Sequence, residues 1–215
     1  MKRFEQELES LKRRVMEMGK TTEEMVALSS AAFIEKDASA MERVLALEAS
    51  LDRFQLEIDG ESVRLITIYT PIAKDLRFLL MVTRINAELE RIGDQAVNNC
   101  EYVQTLSSVG AGPLGDITKM SEITRGMVRN ALDAFDQEDI EKAELVLECD
   151  DEVDQLYNQT FSDLLEDTAD DDDRLSRSMN LILVARSLER IADHATNICE
   201  EVIYMVNSED IRHKH

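Results

Sequence analysis

An internal duplication limits what this 215-residue chain can fold into. At an offset of 102 positions, Thr22, Met25, Val26, Ala32 and Phe33 recur as Thr124, Met127, Val128, Ala134 and Phe135. The same offset carries Asp37, Glu42, Val44, Leu45 and Asp52 onto Asp139, Glu144, Val146, Leu147 and Asp154. Further along the offset is 99. Leu89-Glu90-Arg91-Ile92 becomes Leu188-Glu189-Arg190-Ile191, and Asp94, Ala96, Asn98, Cys100 and Glu101 become Asp193, Ala195, Asn197, Cys199 and Glu200. The loss of three positions places a shorter turn in the second unit. A chain that repeats one unit buries its apolar faces by packing the copies together, here about a pseudo-twofold axis.

The unit is helical. Phe4, Leu8, Leu11, Val15 and Met18 step by three and four, the spacing of an amphipathic helix, which is expected to run to about Lys36. Ser39 with Glu42 forms a capping-box pattern for a second helix carrying Val44, Leu45, Leu51, Leu56 and Ile58. Thr70-Pro71 reads as N-cap and N1 of a third helix ending near Leu106. Residues 107–115 hold the one Gly/Pro-rich stretch. Beyond it helices are expected over about 116–135, 138–166 and, after the acidic run 170–173, to about Val206. Gly60, Gly93 and Gly126 weaken their helices locally. The fold expected is all-α: two tandem three-helix bundles, residues 1–107 and 116–215, joined by a linker at 108–115.

Composition removes several function classes. The net charge of −21 disfavours a nucleic-acid partner, because phosphate backbones need a basic stripe. No run of apolar residues is long enough to span a bilayer, and no apolar signal core follows Met1, so a cytoplasmic location is expected. Cys100, Cys149 and Cys199 form no CxxC and fit reduced, buried side chains. The three histidines are His194, His213 and His215, and His194 is matched by Gln95 in the first half, so it reads as a surface or packing residue. No Glu-x-x-His pair, P-loop, nucleophile elbow or zinc signature occurs, and no catalytic residue is assigned.

What remains is a pattern of acids. Glu48/Asp52, Glu90/Asp94, Asp150/Asp154 and Glu189/Asp193 each place two carboxylates four residues apart on one helix face. With 45 acids, 20 of them Asp, roughly four such spacings arise by chance and seven occur, so the spacing alone means little. These four pairs, however, sit at duplicated positions, one on the second and one on the third helix of each unit. Glu90, Asp94, Asn98 and Glu101 fall at about 0, 40, 80 and 20 degrees on a helical wheel. Glu189, Asp193, Asn197 and Glu200 repeat the stripe. Like charges so aligned repel unless something neutralises them. Oxygen-only donors suit hard cations, and bridging carboxylates support several ions together. Neutralisation by Arg91 and Arg190 is the competing explanation, although neighbours in a helix point about 100 degrees apart.

The doubled Leu-Glu-Arg-Ile-x-Asp signatures resemble those of the PhoU family. So do Pro71-Ile72-Ala73-Lys74-Asp75-Leu76-Arg77 and the stretch Ala185-Arg186-Ser187-Leu188-Glu189-Arg190-Ile191-Ala192-Asp193. The resemblance implies a regulator of phosphate uptake and of the phosphate-starvation response, not an enzyme. It would link a phosphate ABC-transporter ATPase to a sensor histidine kinase. The same resemblance implies a cytoplasmic homodimer, peripheral at the inner membrane through its partners, with no membrane insertion of its own. It implies multinuclear metal sites of iron, zinc, manganese or magnesium. Carried over by position, the ligands are Glu48, Asp52, Glu90 and Asp94 with Asn98, then Asp150, Asp154, Glu189 and Asp193 with Asn197. Glu101 and Glu200 lie on the stripes and rank lower. Asp150 departs from the Glu of the first half, so the second site is expected to hold ions differently. Two alternatives stay open: a metal-free acidic scaffold, and a carboxylate-bridged metalloenzyme.

Overall fold

A computed structural model describes residues 2–34, 37, 39–109, 115–166, 172–209 and 211. It contains six helices and, among the described residues, no strand: α1 (Lys2–Ile34), α2 (Ala40–Tyr69), α3 (Ala73–Val109), α4 (Gly115–Gln137), α5 (Ile140–Glu166) and α6 (Asp172–Asn207). Within each half all three helices touch one another, and the halves join like to like, α3 on α6 and α1 on α4. Equivalent elements meeting in pairs is what a twofold relation between repeats requires. At 37 residues α3 is about 55 Å long, so the α3–α6 seam can span the molecule.

Most of the duplicated apolar residues fill the interior, Leu45 being an exposed exception. Met25, Val26 and Phe33 of α1 and Met127, Val128 and Phe135 of α4 are buried in one continuous core shared by both halves. Thr22 and Thr124 carry the repeat into hydrogen bonding. Each is fully buried, and its hydroxyl donates to the backbone of the third helix of its own unit, Leu89 O at 3.4 Å and Leu188 O at 3.5 Å. Between the units Ser121 donates to Ser30 at 2.7 Å, satisfying two buried hydroxyls where α1 meets α4.

Helix ends depart most from expectation. Thr70 is the C-cap of α2, not the N-cap of α3. Its backbone is left-handed (φ 43°, ψ 54°) and its N–H reaches Ile66 O at 3.0 Å. Pro71 keeps Thr70 out of the helical region, so the proline ends one helix rather than starting the next, and α3 begins at Ala73. The Ser39/Glu42 capping box does not form. Ser39 makes no side-chain cap bond; instead Asp37 Oδ1 accepts from the Ser39 N–H (2.9 Å) and hydroxyl (2.7 Å). Its duplicate Asp139 does cap α5, accepting from the Lys142 N–H at 3.1 Å. The acidic run is only partly a break, because Asp172 and Asp173 form the first turn of α6, where the helix dipole favours negative charge. The expected linker is shortened at both ends, since α3 extends to Val109 and α4 starts at Gly115; residues 110–114 and 167–171 lie outside the described residues.

Candidate metal centres

In each half the second helix lies against the third with the acid pairs at the contact. Gly93 explains how closely α2 approaches α3. A Cβ at Gly93 would overlap Leu51 Cδ2, and Leu51 and Gly93 immediately precede Asp52 and Asp94. At the duplicated positions the second half carries Val153 and Ala192, one side chain smaller and the other larger, both buried. The summed size of the two side chains is held.

The carboxylates of each half feel one another. Burial first, then the charges of Asp52, Asp94 and Glu101, raises the Glu48 carboxyl above its usual range. Burial and then Asp94 and Asp52 raise Glu90, against partial relief from Arg91 and His194. Asp94 is raised by burial and Asp52. The second array repeats this with greater force. Burial, followed by Asp193, Asp154, Asp151 and Glu189, pushes Asp150 up to about 7. Glu189 and Asp193 are raised by burial and then by acids of the same array, Asp193 and Asp154 acting on Glu189 and Asp154 on Asp193, against partial relief from Arg186 and Arg190 at Glu189 and from His194 and Arg190 at Asp193. Thus Glu48, Asp52, Glu90, Asp94 and Glu101 form one electrostatic group, and Asp150, Asp154, Glu189 and Asp193 another.

Arginine relieves each group only in part, Arg91 at Glu90 and Arg186 and Arg190 at Glu189, and pairs with none of the acids. Arg91 reaches Glu88 on its own helix at 3.9 Å, and among the described residues no ion pair engages Glu48, Asp52, Glu90, Asp94, Asp150, Asp154, Glu189 or Asp193. Asp150 Oδ1 is buried without a hydrogen-bond partner. A buried carboxylate oxygen that nothing donates to is a costly arrangement unless a cation or proton answers it. The all-oxygen donor set, the mutual repulsion and this orphaned atom fit hard metal ions. Among the described residues no three His, Cys, Asp or Glu side chains close on a single point, so the acids face each other as open arrays rather than a closed cage.

The asparagines are placed differently from one another. Asn197 Nδ2 donates to Glu88 Oε2 across the α3–α6 seam at 3.0 Å, and His194 Nδ1 meets the same oxygen at 2.7 Å. His194 is therefore not a surface residue; it packs at the seam and makes a polar bond there. Its side chain is 15% exposed and that of Glu88 16%, a half-buried bridge between repeats. Burial pushes Glu88 up, but the bonds from His194 and Asn197 outweigh it and hold the carboxyl below its usual range. Glu88 escaped the reading by duplication because its counterpart is Ser187, so no repeat marked it.

A tandem of three-helix units with an acidic array between the second and third helix of each defines the class. Residues 15–103 and 117–202 both match the PhoU domain, and the chain belongs to the PhoU family. It is 34% identical over 212 residues to the phosphate-specific transport system accessory protein PhoU homolog of Pseudomonas putida, covering 98% of this chain and 83% of that protein. The homologue from Aquifex aeolicus is 36% identical, covering 100% and 97%. The crystal structure of PhoU from Pseudomonas aeruginosa superposes with a TM-score of 0.92 at 33% identity, over 96% of this chain and all of that one. The Streptococcus pneumoniae phosphate transport system regulatory protein PhoU, at 24% identity and a TM-score of 0.89, shares the fold.

Proposed function

We propose that this protein is a metal-binding regulator of phosphate uptake and of the phosphate-starvation response. It acts as a homodimer in the cytoplasm, linking a phosphate ABC-transporter ATPase to a sensor histidine kinase at the inner membrane, and it is not an enzyme. Support for the phosphate role comes from relatives that are named accessory proteins of phosphate-specific transport across nearly their whole length. Among the described residues no helix is long and apolar enough to cross a membrane, in keeping with attachment through partners.

The observation that carries the metal reading is the pair of mutually repelling arrays at duplicated positions, their acids in no ion pair among the described residues, with Asp150 Oδ1 orphaned in the second. Glu48, Asp52, Glu90 and Asp94 with Asn98 would hold one cluster, and Asp150, Asp154, Glu189 and Asp193 with Asn197 the other. Iron, zinc, manganese and magnesium are the candidate ions, and oxygen-only donors favour the harder ones. A bound cation supplies positive charge that cancels carboxylate repulsion and ties the second helix to the third. A metal-free scaffold is the second reading, favoured by α5, which carries nine acids and one Lys.

Affinity purification of the full chain from cells, with elemental analysis of the same sample, tests both parts. Transporter ATPase or sensor kinase should co-purify, with more than one metal ion per chain. Chelation should then lower the melting point, since a ligand at 100 times its Kd stabilises by about 2.7 kcal/mol per site. Metal-free protein with an unchanged melt leaves the scaffold reading; recovery of neither partner removes the regulatory one.

A further inference from the structure

We propose that Glu88, a first-repeat residue, is a positioning residue for the second metal centre: it fixes the Asn197 amide so that Asn197 Oδ1 is the atom offered to a cation. The inference deepens the metal reading above and rests on it.

A carboxylate accepts hydrogen bonds and cannot donate them, whereas an Asn amide has a donating and an accepting end. Glu88 Oε2 lies 3.0 Å from Asn197 Nδ2 and accepts its N–H, so the NH2 end of Asn197 faces Glu88. The amide is thereby fixed in orientation, its carbonyl end turned away from Glu88. An unrestrained Asn can turn its NH2 toward a cation, which repels; a restrained one offers oxygen without paying to be ordered. The second bond to the same oxygen, from His194 at 2.7 Å, and the Arg91 guanidinium at 3.9 Å from the other, hold Glu88 itself in place. Outer residues that orient metal ligands in this way change affinity by about 10–100-fold.

The first centre lacks the device. The counterparts of Glu88 and His194 are Ser187 and Gln95, and among the described residues no hydrogen bond restrains Asn98. One repeat therefore helps to build the other's site, across the seam that joins them.

The test is a Mn2+ titration of the full chain carrying Asp52→Ala and Asp94→Ala, which leaves the second array to report. Adding Glu88→Ala should weaken Mn2+ binding tenfold or more, and Glu88→Gln should restore most of it, because the Gln carbonyl also accepts from Asn197. Asn197→Ala should weaken binding similarly, and Glu88→Ala should add little in its presence. In the converse background, Asp154→Ala with Asp193→Ala, Glu88→Ala should change Mn2+ affinity several-fold less than it does at the second array. Equal loss at both arrays, full additivity with Asn197→Ala, or no loss at the second array each overturns the proposal. If the Asp52→Ala/Asp94→Ala parent binds no Mn2+ at all, the metal reading of the second array fails and this inference with it.

Discussion

The two repeats share a backbone plan and differ in charge and in depth of the acids. Residues 1–107 hold 19 acids against 14 bases, whereas residues 116–215 hold 26 against 10. In the first array Glu48 sits at the position that Asp150 takes in the second, and only Asp150 has a buried oxygen without a partner. Shortening the side chain by one methylene draws the carboxylate back toward the helix, where water reaches it less. Duplication thus preserved which residues are acidic, while small changes beneath them set how strongly each array needs a counter-charge.

The sharpest way to break this comparison is pH. A carboxyl whose folded value lies above its unfolded one keeps its proton longer in the folded state. Stability is then full below the ordinary carboxylate range and is lost as pH rises through it to the folded value. For Asp150 the window runs from the ordinary 3.8 to about 7. Chelated protein should therefore be less stable to urea at pH 8 than at pH 5, by at most roughly 2–3 kcal/mol from this residue, less whatever water screens. Asp150→Asn should flatten the dependence markedly and Glu48→Gln less so; equal effects would erase the difference between the arrays.

A smaller effect probes the packing under the acids. Gly93→Ala should destabilise by about 1–2 kcal/mol, since the new methyl overlaps Leu51, with the gain in helix propensity offsetting part of it. Adding Leu51→Val copies the Val153/Ala192 arrangement and should recover at least half of the loss in thermal melts. Strict additivity would show that the two contacts are not exchangeable solutions. The smallest contrast lies at the caps. Asp139→Ala should cost about 1 kcal/mol, because a helix N–H loses its acceptor, while Asp37→Ala should cost less, because Asp37 braces a turn outside α2.

Much of this was legible beforehand. Helical periodicity located all six helices because each buries one stripe, and the offsets located the four acid pairs because both copies kept them. Helix ends were less legible. Ser39 and Thr70 match cap patterns, but whether a side chain bonds to a helix N–H depends on the path of the chain, and at Thr70 the proline decided that path.

By itself, the sequence determined the repeat, the helical faces and the acidic stripes, since these are periodic and local. Tertiary structure alone decided that α3 lies on α6, which brings Glu88 to His194 and Asn197 from more than a hundred residues away. It also decided that Gly93 is a place for Leu51 and that no arginine pairs with the acids of the arrays. Those outcomes depend on which helices pack and how closely. Burial then sets the strength of the repulsion between acids that a helical wheel can only align.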